Sequence, residues 1–195
     1  GHLTLYGIQG HVAYPEKADN PIHSCANILS KLLNIQFDKG NEFFPPTSFQ
    51  ISNINSGTGV DNVIPGDVKL SFNVRYSTET NSDEIKKEIM HILTESAIKH
   101  DITWKHSGEP YLTTNREFLN ICQESIKEVT GLNTTISTNG GTSDGRFIAK
   151  VCNQVIELGL TNRSIHKINE SIRDDDLDVL KNIYKTILTK IFINQ

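Results

Sequence analysis

Residues 68–74 read Val-Lys-Leu-Ser-Phe-Asn-Val, which puts Val68, Leu70, Phe72 and Val74 on one side and polar residues on the other. Strict alternation of this kind is the mark of a strand with one buried face and one wet face. Such a strand belongs in an antiparallel sheet, because parallel sheets are covered on both faces and read as continuous apolar runs.

The apolar period switches along the rest of the chain in an informative order. Residues 3–8 alternate like a strand. Asn20-Pro21 is an N-cap and first-turn pair, and behind it Ile22, Ala26, Leu29 and Leu33 form an expected helical stripe. Residues 48–54 alternate again, with Phe49, Ile51, Asn53 and Asn55 expected on one side. After a glycine-rich bend comes the strand at 68–74. Asn81 with Glu84 has the spacing of a capping box ahead of a stripe made of Ile85, Ile89, Ile92 and Leu93. Residues 102–105 make a short last strand. The order β-α-β-β-α-β is the ferredoxin-like split βαβ arrangement, an α/β chain of the α+β kind with both helices on one sheet face.

Gly108-Glu109-Pro110 reads as a boundary, dividing the chain into residues 1–109 and 110–195. Beyond it, Thr114 with Glu117 is expected to cap a helix that carries Phe118, Cys122, Ile126 and Val129 and stops at Gly131. Residues 134–138 and 155–158 read as short strands. Leu177, Leu180, Tyr184, Ile187 and Ile191 form the expected stripe of a last helix, whose Asp174, Asp175 and Asp176 suit its positive N-terminal end. A small sheet of this kind has little cover, so the second segment is expected to be part of a larger α/β domain.

Composition narrows the function classes. A chain of 195 residues fits one large domain or two small ones. Its 36% hydrophobic content is that of a globular protein. The net charge of −4, with no Lys/Arg block, argues against nucleic acid as the main partner. No run approaches the ~18 apolar residues of a membrane span. Cys25, Cys122 and Cys152 lack metal-type spacing and fit the reduced thiols of a cytoplasmic protein, with Cys25 and Cys122 expected in the core. His91, His100 and His106 are expected to be solvated.

Three clusters could carry chemistry. His11 lies in the tight turn Gly10-His11-Val12-Ala13-Tyr14-Pro15. Gly140-Gly141-Thr142-Ser143-Asp144-Gly145-Arg146 would offer free backbone N–H groups to an anion at the start of a helix. His166 sits in a polar loop, where a neutral imidazole could bind zinc, although one histidine cannot hold a metal alone. Taken singly, each also has an ordinary reading: a turn histidine with no task, a capped helix, a solvated loop.

Together with two further runs these clusters are more specific. Gly-Ile-Gln-Gly-His-Val-Ala-Tyr-Pro from Gly7, Gly-Thr-Gly-Val-Asp-Asn-Val-Ile-Pro-Gly from Gly57 and Phe-Asn-Val-Arg-Tyr from Phe72 come first. Gly-Gly-Thr-Ser-Asp-Gly-Arg-Phe from Gly140 and Ser-Ile-His-Lys-Ile-Asn-Glu from Ser164 follow. In this order they resemble the M20 family of di-zinc amidohydrolases, in its desuccinylase branch.

The resemblance implies a ferredoxin-like dimerisation domain followed by the C-terminal portion of an incomplete zinc-hydrolase catalytic domain, hence a fragment without most of the metal ligands. It implies a homodimer, a small anionic substrate (N-succinyl-diaminopimelate) and water, and two zinc ions per intact site, with cobalt as a substitute and no metal held tightly by this chain alone. In the intact enzyme the zinc ions would share a water, lower its pKa and polarise the amide carbonyl. His166 would be a metal ligand. His11 would reach the oxyanion from the partner subunit, and Tyr14 and Asn62 would contact substrate beside it. Arg75, Ser107, Gly141 and Thr142 would hold substrate carboxylates. Asp61 departs from the paired asparagines expected there. Another M20 deacylase, such as an acetylornithine deacetylase or a carboxypeptidase, would share His11, Asn62 and His166. A non-catalytic ferredoxin-like binding module would have no use for residues 140–147 or His166.

Overall fold

The computed structural model describes residues 1–141, 143–161 and 163–193, and the chain divides into two compact units, Gly1–Pro110 and Tyr111–Gln195. In the first, β1 (His2–Tyr6), β3 (Ser48–Ser56), β5 (Asp67–Arg75) and β6 (His100–Thr103) form a four-stranded sheet in the order β3-β5-β1-β6. Every neighbouring pair is antiparallel. With α1 (Pro21–Leu33) and α2 (Ser82–Glu95) as the intervening helices, this is the ferredoxin-like arrangement. A separate two-stranded ladder joins β2 (Gly10–His11) to β4 (Val63–Ile64).

The core lies between the sheet and the helices. Leu3 and Leu5 of β1, Val68, Leu70 and Phe72 of β5, and Ile85, Ile89 and Leu93 of α2 are all buried. Asn81 caps α2 by accepting from the N–H groups of Asp83 and Glu84, each at 3.0 Å. Glu84 turns its carboxylate to the Thr80 hydroxyl, at 3.1 Å, so its hydrogen bond goes to a neighbouring side chain. Asn20 caps α1, with Oδ1 accepting from Ile22 N at 3.0 Å.

Two faces differ from the expected ones. In α1 the buried residues are Pro21, Cys25, Ile28 and Leu32, whereas Ile22 and Leu33 are exposed. The helix carries two apolar stripes one residue apart, and contact with the sheet selects the stripe that includes Cys25. In β3 a bulge between Ile51 and Asn53 advances the register, so Ile54 stands opposite Leu70 and Asn53 opposite Ser71. The extra residue flips the alternation. Ile54 and Ser56, rather than Asn53 and Asn55, therefore continue the side begun by Phe49 and Ile51.

In the second unit, α3 (Arg116–Thr130) packs on α5 (Asp174–Phe192) around Cys122, Ile183 and Ile187. Asn115, not Thr114, caps α3 by accepting from Phe118 N at 3.0 Å. Gly131 ends it at φ 72°, the left-handed stop that glycine adopts without strain. Leu119 and Ser125 share the buried face with Cys122, and the fully buried Ser125 hydroxyl donates to Ile121 O at 2.7 Å. On α5, Ile183 is buried in place of Tyr184, and Leu177 is exposed. Lys190 links the two helices through Glu128 at 3.2 Å and Glu124 at 3.6 Å.

Neither residues 134–138 nor residues 155–158 form a strand. A strand needs a ladder partner, and at Val155 a side chain takes that place. The Thr113 hydroxyl accepts from Val155 N at 2.8 Å and donates to Val155 O at 2.6 Å. No described helix is long and apolar enough to cross a membrane.

Candidate functional site

The β2–β4 ladder brings His11, Tyr14 and Asn62 together. His11 stands opposite Val63, and Val12 N donates to Asn62 O at 3.1 Å. The chain can turn into this ladder because Gly7 lacks a side chain: a Cβ there would collide with the Asp19 carbonyl and lie 2.6 Å from Pro21 Cδ. Tyr14 N donates to His11 O at 2.9 Å, which returns the turn so that the two rings sit 5.8 Å apart. Lys17 Nζ lies 5.0 Å over the Tyr14 ring. His11, Tyr14, Asp61 and Asn62 are all exposed.

His11 has a defined hydrogen. Ala13 N donates to His11 Nδ1 at 3.1 Å, and a backbone N–H can only donate. Nδ1 therefore carries the lone pair, and the neutral ring carries its hydrogen on Nε2. This tautomer presents a donor on the ring atom that the turn leaves free.

Arg75 and Ser107 are placed elsewhere. Arg75 is the last residue of β5, eight residues from Asp67, and at ~3.4 Å per residue it lies roughly 27 Å from the end that carries the β2–β4 ladder. Ser107 is exposed in the segment after β6. That segment is tied to the end of β5 by the Tyr76 hydroxyl, 2.9 Å from His106 Nε2 and 2.8 Å from Glu109 Oε2. Neither His100 nor His106 is simply solvated. His100 is half-buried with Nδ1 2.9 Å from Ile98 O, and His106 belongs to the Tyr76 network.

In the second unit the glycine-led loop enters α4 (Gly145–Ile148), a helix of only four residues. A single turn sums too few peptide dipoles to make a strong anion site. One of its entry donors is also already used, because Ser143 N donates to Glu157 Oε1 at 3.2 Å. Gly141 is exposed, and Thr142 lies outside the described residues.

Glu157, which the motifs did not single out, anchors this loop. Its Oε1 also accepts from Tyr111 OH at 2.8 Å. Partial burial works to raise the Glu157 pKa. The hydrogen bonds from Tyr111 and Ser143 and the charge of Arg146 outweigh it and hold the group below its ordinary value. Partial burial, then the bond to Glu157 and its charge, push the Tyr111 phenol up to about 12. The only trace in the sequence is an acidic residue inside an apolar run, which local pattern cannot pair with a tyrosine far upstream.

His166 is exposed at φ 59°, in the left-handed region, with its N–H donating to Glu170 Oε2 at 3.2 Å. The Ser164 hydroxyl closes the surrounding loop on Ser171. Among the described residues no three His, Cys, Asp or Glu side chains gather as a metal centre requires.

Residues 1–101 match the sequence model of the M20 peptidase dimerisation domain. This chain belongs to the M20 peptidase family. The matched residues lie within the first unit, which holds both the ferredoxin-like sheet and the separate β2–β4 ladder. The M20 chain is 50% identical over 193 residues to a succinyl-diaminopimelate desuccinylase of Bordetella avium, covering 99% of this chain and 51% of that protein. A desuccinylase of Shewanella pealeana is also 50% identical, over 98% of this chain and 50% of its own length. The chain thus spans about half the length of the curated relatives it matches. Among solved structures, a tripeptidase from Staphylococcus aureus superposes with a TM-score of 0.75 at 23% identity, over 97% of this chain and 50% of that one. That likeness shows the shared fold.

Proposed function

We propose that this chain is the dimerisation domain and an adjoining catalytic segment of a succinyl-diaminopimelate desuccinylase. The intact enzyme hydrolyses the amide of N-succinyl-LL-2,6-diaminopimelate, adding water to release succinate and the free amine, in lysine and diaminopimelate biosynthesis in the cytoplasm. The observation that carries this reading is 50% identity to desuccinylases over nearly the whole chain. The co-location of the exposed His11, Tyr14 and Asn62 at the β2–β4 ladder and its flanking turns supports it. In this reading residues 1–109 form the dimerisation domain of a homodimer and residues 110–195 belong to the catalytic domain.

His166 is one ligand of a zinc pair, which cobalt can replace, and the remaining ligands come from the rest of the catalytic domain. When bound, the metals supply Lewis acidity toward the amide and the attacking water. The residues of this chain bind and orient. His11 donates its Nε2 hydrogen to the carbonyl oxygen as negative charge develops there, a contribution of ~3 kcal/mol. It acts in the partner subunit's site, flanked by Asn62 and Tyr14. Arg75 pairs with a substrate carboxylate through its planar fork of donors, and Ser107 adds a hydroxyl. Gly141 and Thr142 contribute donors from the glycine-led loop.

The test compares N-succinyl- and N-acetyl-substrates in the full-length protein that carries this sequence. The expected result is strong preference for the succinyl substrate and a loss of roughly 100- to 1,000-fold in kcat for His11→Ala. A preference for the acetyl substrate would overturn the desuccinylase reading, and an unchanged kcat would remove His11 from the reaction.

A further inference from the structure

Tyr76 follows Arg75 directly and leaves β5 with its hydroxyl in a polar cluster. The oxygen lies 2.8 Å from Glu109 Oε2, 3.1 Å from Gly108 O and 2.9 Å from His106 Nε2. A phenol has one hydrogen, and an ionised carboxylate is a stronger acceptor than a carbonyl, so the hydroxyl donates to Glu109. His106 Nε2 also lies 3.1 Å from Gly108 O and 3.4 Å from Glu109 Oε1. Both neighbours can only accept, so Nε2 carries a hydrogen, which Gly108 O, Glu109 Oε1 and the phenol oxygen share. Tyr76 is thus held from both sides by the segment that contains Ser107. Partial burial, then the hydrogen bond to Glu109 and its charge, raise the phenol's pKa well above its usual value, which keeps it a donor.

The sheet itself does not fix this spacing. In the order β3-β5-β1-β6, β1 separates β5 from β6, so no ladder joins the end of β5 to the segment after β6. Side chains make the link. Phe72 meets Trp104 edge-on at 5.5 Å, and Tyr76 meets residues 106–109. On the far side the fully buried Ser77 donates its N–H to Thr47 Oγ1 at 3.0 Å. Arg75 therefore precedes two residues anchored in different directions. Ser107 sits between His106 and Gly108, whose ring nitrogen and carbonyl oxygen lie 2.9 and 3.1 Å from the same hydroxyl.

We propose that Tyr76 is a positioning residue whose hydroxyl sets Arg75 and Ser107 at the spacing needed to grip one substrate carboxylate. This rests on the reading that Arg75 and Ser107 bind that carboxylate. A guanidinium paired through two parallel hydrogen bonds tolerates little displacement, and a misplacement of ~1 Å costs on the order of 100-fold in some enzymes.

The test uses the full-length protein, and wild-type turnover of N-succinyl-diaminopimelate is measured first. Its absence overturns both the reading and this inference. With turnover in hand, Tyr76→Phe, which removes only the hydroxyl, is expected to raise KM roughly 5- to 20-fold with kcat held within about 2-fold. Ser107→Ala raises KM by itself and is expected to add little in the Tyr76→Phe background, because coupled residues are non-additive. An unchanged KM in Tyr76→Phe, or effects that simply multiply in the double variant, would overturn the positioning role while the desuccinylase reading stands. Should Tyr76→Phe not fold, Glu109→Gln keeps the shape and weakens the acceptor. A smaller rise in KM is then expected, and an unchanged KM again overturns the proposal.

Discussion

Tyr111 donates its hydroxyl hydrogen to Glu157 Oε1 at 2.8 Å across 46 residues of sequence. The same oxygen accepts the Ser143 N–H at 3.2 Å. One carboxylate thereby joins the start of the second unit, the glycine-led loop and the apolar run at residues 155–158. Gly145 closes the group, because a Cβ there would lie 2.5 Å from both Glu157 Oε1 and Tyr111 OH.

Gly145→Ala is therefore expected to destabilise the chain. In an open helix this change stabilises by ~1 kcal/mol. Here overpacking opposes it and costs about 1–3 kcal/mol. Urea denaturation reads the sign, and a stabilised variant would show that the cluster yields freely.

The Tyr111 phenol, pushed to about 12, gives a spectroscopic signature. Its folded pKa lies above the ordinary 10.0, so its contribution to stability is fully present below pH 10 and is lost as the pH rises through about 12. Glu157 behaves in the opposite sense. Its pKa is lowered, so its contribution is present above the ordinary 4.5 and is lost as the pH falls through its folded value. In an absorbance titration, the difference between wild type and Tyr111→Phe is expected to have a midpoint near 12. Glu157→Gln is expected to bring it down toward 10, and no movement would break the assignment.

The buried side of α1 predicts a contrast. Ile28 is 1% exposed and Leu33 is 60% exposed. Ile28→Ala is expected to cost about 2–5 kcal/mol, and Leu33→Ala less than about 1 kcal/mol. Equal losses in chemical denaturation would place the face wrongly.

Asn81→Ala removes the acceptor for Asp83 N and Glu84 N. A loss of ~1 kcal/mol in denaturation is expected, and Asn81→Ser is expected to recover most of it. A neutral alanine variant would mean that the cap does not hold α2.

Much of the architecture was legible in local pattern. The alternation of Val68, Leu70 and Phe72 named β5 and its buried side, because period two admits a single reading when every second residue is apolar. Asn20, Asn81 and Gly131 marked helix ends through groups that act within a few residues. The β2–β4 pairing that joins His11 to Asn62 left no such trace, since two residues are too few to show a period.

By itself, then, the sequence determined the β-α-β-β-α-β order of the first unit, the helix ends at Asn20, Asn81 and Gly131, and the motifs that tie this chain to its family, all of which follow from short-range backbone and patterning physics. Only the tertiary structure decided which of two adjacent stripes on α1 is buried, that Ile183 rather than Tyr184 joins Ile187 in the core on α5, and where the bulge turns β3 over. It also decided that residues 134–138 and 155–158 stay out of any sheet, and that Glu157 meets Tyr111. Those outcomes depend on what lies opposite each residue in space, and a one-residue change of face costs local geometry almost nothing while it redistributes the whole buried surface.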